Sequence, residues 1–201
     1  MSSEAPDLNR RRFLTGAATV VGGVGLVFTA VPFLSYLRPS ARALAAGAPV
    51  ELDISKLEVG RRIEVEWRGR PVWVIGRSQE QIDALEDVRD RLRDPDSEVD
   101  QQPEYARNPA RSVKPDVAVL VGVCTHLGCA PGFHPEIRPQ HFDQDWRGGF
   151  FCACHGSMFD MAGRVYRGVP APSNLVVPPH RYVGDDYLVV GEDPTDEGGT
   201  A

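Results

Sequence analysis

The chain has 201 residues and a formal net charge of −6, with an isoelectric point near 5.4. That length allows one domain of ordinary size plus extra segments, and the acidic balance argues against nucleic acid as a partner. The four cysteines all fall within one stretch, so they form a single constellation rather than a disulfide scaffold.

The N-terminus is polar up to Asn9-Arg10-Arg11-Arg12-Phe13-Leu14-Thr15. Two consecutive arginines, a spacer and Phe-Leu resemble a twin-arginine export signal. An arginine run before an apolar stretch is also an ordinary topology signal. No residue from Phe13 to Leu37 is charged. As a helix this stretch would reach about 37 Å at about 1.5 Å per residue, enough to cross a hydrocarbon core of about 30 Å with some tilt. Residues 1–12 then stay cytoplasmic, 13–37 form a single-pass anchor in the inner membrane, and the remainder lies in the periplasm, where a disulfide can persist. Ala43-Leu44-Ala45 has the small-x-small form of a signal-peptidase site, which leaves cleavage as an alternative. Small residues four apart, Ala18 with Gly22, Thr19 with Gly23 and Gly25 with Thr29, favour a retained anchor packed against a membrane partner. Residues 38–49 are Ala-rich and end in Gly and Pro. They read as a flexible hinge able to switch between coil and helix, the plainer reading being a passive linker.

Residues 50–190 read as a mainly β domain. Val50 to Ile54 is a short strand. Ile63, Val65 and Trp67 alternate with charged residues, Arg68-Gly69 make a turn, and Val72 to Ile75 return as a hairpin. Gln79 to Leu92 has apolar residues at near-helical spacing and predicts one surface helix with a solvated charged face. Asp94 to Pro115, with prolines at 95, 103, 109 and 115, predicts an irregular excursion. Val117 to Val123 is an apolar strand, Pro131 to Gly149 a loop-rich stretch, and Phe150-Phe151 a return. Further strands are expected at Gly163 to Tyr166, Leu175 to Val177, Arg181 to Val183 and Tyr187 to Val190. The tail 191–201 has the composition of a disordered segment.

Two boxes carry the chemistry. The first is Cys124-Thr125-His126-Leu127-Gly128-Cys129 and the second Cys152-Ala153-Cys154-His155-Gly156-Ser157. Cys-x-His in one and Cys-x-x-His in the other supply two thiolates and two imidazoles. A Rieske 2Fe–2S centre needs that donor set, one iron keeping two cysteines and the other taking two histidines. The spacing lets Cys124 and Cys152 serve one iron and His126 and His155 the other, leaving Cys129 and Cys154 free to cross-link the loops. A structural zinc site accepts the same donors, but gives the two spare cysteines no role. Two disulfides without metal are also possible in an exported chain, but leave the histidine spacing unexplained. His134, His141 and His180 sit among Pro, Gln and Arg and read as ordinary histidines.

The boxes resemble those of Rieske proteins, and the chain from Arg10 to about Val190 resembles the iron–sulfur subunits of proteobacterial cytochrome bc complexes. The stretches carrying the likeness are Gly122-Val123-Cys124-Thr125-His126-Leu127-Gly128-Cys129, Leu92-Arg93-Asp94-Pro95 and Val169-Pro170-Ala171-Pro172-Ser173-Asn174-Leu175. The resemblance implies a Rieske-type antiparallel β-sandwich with an inserted cluster-binding part at about 122–173. It implies one 2Fe–2S cluster held by Cys124, His126, Cys152 and His155, a Cys129–Cys154 disulfide, and a Ser157 hydroxyl donating to a bridging sulfide. Pro170, Ala171 and Pro172 would wall the cluster, and Leu127 would lie on the tip that docks to cytochrome b. Val169 stands between Gly168 and Pro170, where many relatives read Gly-Pro-Ala-Pro, and Phe159 stands where tyrosine is frequent.

The function implied is oxidation of quinol at His155 or His126, which takes a proton, with one electron passed by domain movement to a c-type cytochrome subunit and protons translocated. Two imidazoles in place of two thiolates leave such a centre less negative, which places it at about −150 to +300 mV, above four-cysteine ferredoxins. A soluble Rieske ferredoxin and the small subunit of a periplasmic oxidoreductase of the arsenite-oxidase type are the alternatives. Cys129, Cys154 and the apolar span speak against the first.

Overall fold

The computed structural model describes residues 7–194, divided between Ala45 and Ala46 into two units. The N-terminal unit is helical. Helix α1, Leu8–Tyr36, begins ahead of Phe13 because Asp7 caps it. The Asp7 carboxylate accepts from the N–H groups of Asn9 at 3.0 Å and Arg10 at 3.2 Å, donors that a helix end otherwise leaves unpaired. Its most apolar window has a mean hydropathy of 2.0, and the helix is long and apolar enough to cross a membrane. The hydroxyls of Thr19 and Thr29 donate back to the carbonyls of Thr15 and Gly25, so their polarity is satisfied within the helix. Within residues 38–49 a short helix α2, Ala41–Ala46, forms.

The second unit holds nine strands among the described residues. In chain order they are β1 (Val50–Asp53), β2 (Arg62–Trp67), β3 (Arg70–Gly76), β4 (Val117–Val121), β5 (Gly132–His134), β6 (Gly149–Cys152), β7 (Ser157–Asp160), β8 (His180–Val183) and β9 (Tyr187–Val190). They make three antiparallel sheets of three strands, ordered β1-β9-β8, β2-β3-β4 and β5-β6-β7. The middle sheet is covered on both faces. Alternation along β3 and β4 sends Val72, Val74, Val117, Val119 and Val121 to a core shared with Leu188 and Val190. Trp73, Ile75, Ala118 and Leu120 go to the opposite core with Phe150, Phe159, Met161 and Leu175. A strand buried on both faces reads as an unbroken apolar run, and Val-Ala-Val-Leu-Val is fully buried.

Helix α3 spans Gln79–Asp87 and is followed by a 3-10 turn at Arg89–Arg91, so the helix expected to reach Leu92 ends early. Its start is a capping box in which Ser78 and Gln81 exchange hydrogen bonds. The tighter turn brings Val88 and Leu92 into a small core with Trp146 and Tyr166. Two expected strands are absent. At Gly163 to Tyr166 only isolated bridges form, Val165 with Phe159 and Tyr166 with Leu92, because the Asn174 carboxamide takes the Val165 N–H at 2.9 Å. At Leu175 to Val177 successive groups bond three different segments, Gly163, Val121 and Gln101, so no ladder builds. The domain also extends past Val190: Gly191 N–H donates to the Pro179 carbonyl at 2.7 Å, and Glu192 accepts from Arg181 at 2.9 Å. Residues 195–201 of the expected tail, and 1–6 of the expected cytoplasmic segment, lie outside the described residues.

Candidate metal centre

β4 delivers the first box and the β6–β7 hairpin the second. Each box makes the same local turn. Gly128 N–H donates to the Cys124 carbonyl at 3.0 Å, and Gly156 N–H donates to the Cys152 carbonyl at 2.8 Å. Both glycines have positive φ, +84° and +77°, which a side chain would strain. The turns are anchored differently: Cys124 N–H donates to the Cys129 carbonyl at 2.8 Å, whereas Cys152 and Ser157 face each other as the last pair of the β6–β7 ladder. A side chain on Gly122 would overlap the Trp73 indole, so the approach to the first box is also tight.

The four cysteines separate into two kinds. Cys129 and Cys154 form a disulfide with their Cα atoms 6.8 Å apart. Cys124 and Cys152 are free thiols, each 2% exposed. Burial, and then the hydrogen bond with Cys124, push the Cys152 thiol up from its ordinary range. The Cys152 sulfur lies within 4.8 Å of both disulfide sulfurs, so the cross-link packs directly on one of the free thiols. The imidazoles of His126 and His155 meet edge to face, 4.7 Å between ring centres. His126 is half-buried, and its Nδ1 has no hydrogen-bond partner. His155 is exposed, as is Leu127 at 72%.

A third loop closes the arrangement. Pro170 and Pro172 are exposed, and Ala171 between them is fully buried. Its N–H donates to Ser157 Oγ at 3.1 Å, and Thr125 Oγ1 donates to the Ser173 carbonyl at 2.7 Å. Arg93 spans the loop from outside, with Nη2 on the Val169 carbonyl at 3.1 Å and Nη1 on the Pro172 carbonyl at 3.2 Å. His134 and His141 lie elsewhere, against the rings of Phe142 and Phe151. His180 is buried with Nδ1 on the Pro178 carbonyl.

Residues 1–40 match the family described as ubiquitinol-cytochrome C reductase Fe-S subunit TAT signal, and residues 105–179 match the Rieske [2Fe-2S] domain. Over 193 residues the chain is 54% identical to the ubiquinol-cytochrome c reductase iron-sulfur subunit of Allochromatium vinosum, covering 96% of this chain and 93% of that one. It is 41% identical to the subunit of the same name from Bradyrhizobium diazoefficiens, covering 94% and 98%. It is 37% identical to the mitochondrial cytochrome b-c1 complex subunit Rieske of Gallus gallus, covering 94% and 64%. The chain belongs to the ubiquinol–cytochrome c reductase iron–sulfur subunit family.

The residues of this Rieske domain fit a 2Fe–2S centre. Two buried thiols outside the disulfide, a buried imidazole nitrogen without a partner, and a second imidazole beside it make the mixed donor set such a centre takes. A buried polar atom left unpaired is costly, and a metal at Nδ1 would resolve that cost for His126. Arg93, Thr125 and Asn174, which fix the third loop, carry no ligand spacing to reveal them. The signal for all three was their place in stretches that resemble the family, and their contacts appear only in the folded chain.

Proposed function

We propose that this chain is the electron-transferring subunit of a quinol–cytochrome c reductase, accepting one electron from quinol and passing it to a c-type cytochrome subunit of the same complex. The observation that carries the reading is the pair of imidazoles at one end of the domain, together with two buried free thiols. Cys124 and Cys152 would hold one iron through thiolate sulfurs, and His126 and His155 the other through ring nitrogens. When bound, such a centre supplies a one-electron acceptor of higher potential than a four-cysteine cluster, because imidazoles replace two of its thiolates.

The protein groups have separable tasks. The exposed His155 imidazole is the group best placed to meet a quinol hydroxyl and take its proton, with His126 as the other candidate. Leu127, Pro170 and Pro172 form an apolar rim that suits a lipid-like substrate and a docking face on cytochrome b. Ala171 and Ser157 exclude water beneath that rim. The disulfide holds the two ligand loops together where little core is available. Helix α1 would be a retained inner-membrane anchor with its arginines cytoplasmic and the Rieske domain periplasmic. Residues 38–49 would be the hinge for movement between quinol and cytochrome, a cycle that contributes to proton translocation.

Replacing Cys124, His126, Cys152 or His155 by Ala should abolish the Rieske electron-spin-resonance signal, while His134→Ala and His141→Ala retain it. A signal that persists in His155→Ala overturns the ligand assignment. Detergent-solubilised membranes should yield this chain together with cytochrome b and c-type subunits and quinol-dependent reduction of the centre. Recovery of the chain alone, unreduced by quinol, overturns the complex.

A further inference from the structure

Arg77, Arg111 and Arg164 are each at most 2% exposed, and Asp160 is buried with them at 1%. Arg164 Nε holds Asp160 Oδ2 at 2.7 Å and sends its other nitrogens to the carbonyls of Pro95 and Leu85. That pair is neutral in itself. Arg77 and Arg111 have only neutral acceptors. Arg77 donates to the Ala110 and Met161 carbonyls and to Ser112 Oγ, at 2.9, 3.3 and 2.7 Å. Arg111 donates to the Ala162 and Leu175 carbonyls and to Gln102 Oε1, at 3.0, 2.8 and 2.9 Å. The Nε atoms of both are without partners. Burial pulls both guanidiniums down to about 10, which leaves them cationic near neutral pH.

Three buried cations against one buried anion leave an excess of two positive charges. The other carboxylates that act on these groups, Asp94 and Asp116, are half-buried and exposed, and Asp94 is occupied by the N–H groups of Glu98 and Val99. Burying a cation without an ionic partner is costly, so its retention calls for a compensating anion. The placement points to one. Asp160 sits opposite Gly149, three pairs along the β6–β7 ladder from Cys152 and Ser157. At about 3.4 Å per residue, the Asp160 backbone lies roughly 10 Å along the ladder from the ligand end. Met161 and Ala162, whose carbonyls hold Arg77 and Arg111, continue directly from β7.

We propose that Arg77 and Arg111 act as an internal counter-charge that favours the reduced state of the centre, and so set how readily it takes an electron; the inference rests on the ligand reading above. A one-electron reduction there adds one negative charge. A fixed buried cation stabilises that added charge, and it does so with little loss to salt because the interior is weakly screened.

The test is protein-film voltammetry on the loaded full-length chain in detergent, which reads only molecules that carry the centre, with spin resonance and circular dichroism to confirm loading and fold. Arg77→Gln and Arg111→Gln should each lower the midpoint. At the wild-type midpoint the reduced-to-oxidised ratio should fall by up to about tenfold, the Coulomb effect of one charge taken at a separation of roughly 12 Å and an effective dielectric of about 20. Arg77→Lys, which keeps the charge but not the fork, should stay near wild type. Asp160→Asn, which removes an anion, should shift the midpoint the other way. An unmoved midpoint in the glutamine variants overturns the proposal, as does an equal fall in Arg77→Lys or a fall in Asp160→Asn. If a glutamine variant does not fold, the opposed expectations for Arg77→Lys and Asp160→Asn still decide. Absence of the Rieske signal in wild type would instead refute the ligand reading.

Discussion

The Ala171 N–H donates to Ser157 Oγ at 3.1 Å, with both residues fully buried. One lone pair of the hydroxyl is thereby occupied, and the hydroxyl keeps its own proton to donate. Ser157 faces Cys152 across the ladder, so that proton is free to serve a sulfur of the bound centre. We predict that Ser157→Ala lowers the midpoint potential without loss of the centre. A hydrogen bond to a charged group is worth about 1.5–3 kcal/mol, equivalent to about 60–130 mV for one electron. Voltammetry showing an unchanged midpoint would refute the role.

Phe159 lies on the same strand two residues from Ser157 and is fully buried. It supplies ring packing against the core with no donor. Phe159→Tyr is expected to raise the midpoint if the new hydroxyl reaches a cysteine sulfur, since a donor there favours the more negative, reduced form. The same voltammetry checks it. A midpoint that stays or falls means the ring at this position only packs.

Arg93 bonds the Val169 and Pro172 carbonyls at once. Arg93→Gln should loosen the third loop, with loss of one bond worth about 1 kcal/mol and hence roughly fivefold less protection at Ala171. Hydrogen exchange read by mass spectrometry measures this directly. Arg93→Lys should rescue only in part, because an ammonium lacks the planar fork. Unaltered protection in Arg93→Gln would show that the loop is held by Ser157 and Thr125 alone.

His180 gives a pH dependence. Burial holds its imidazole below the ordinary histidine range, its Nδ1 donates to the Pro178 carbonyl, and its Nε2 is unpartnered. With the folded pKa depressed, the unfolded chain binds the proton first. The neutral side chain therefore costs nothing above about pH 6.5, and stability falls as pH drops below that value toward the lower folded pKa. The slope from this single proton is at most about 1.4 kcal/mol per pH unit. Denaturant titrations at several pH values should show the loss in wild type and a shallower one in His180→Phe, whose ring can keep the contacts with Tyr105 and Tyr182. Equal slopes would place the acid sensitivity elsewhere.

The sequence was most informative where local chemistry and local period coincide. Val117 to Val123 and Val72 to Ile75 could be read as strands because each is an unbroken apolar run. The two boxes could be read because metal donors need particular residue types at short spacing. Arg93, Asn174 and the buried arginines were not legible for the opposite reason. Each acts on carbonyls far along the chain, as Arg164 does on Leu85, and backbone acceptors leave no mark in a sequence. The strand expected at Gly163 to Tyr166 failed similarly, since a side-chain amide from Asn174 took the ladder donor.

The matched turns at Gly128 and Gly156 have one further result. The same backbone device is used twice, yet one box places its histidine two residues after the buried cysteine and the other three. His126 is half-buried with its Nδ1 enclosed, and His155 is open to solvent. Two near-identical loops therefore make a site with a front and a back. An approaching molecule meets one imidazole first, and this directionality accompanies a one-residue difference in spacing together with different anchoring of two similar turns.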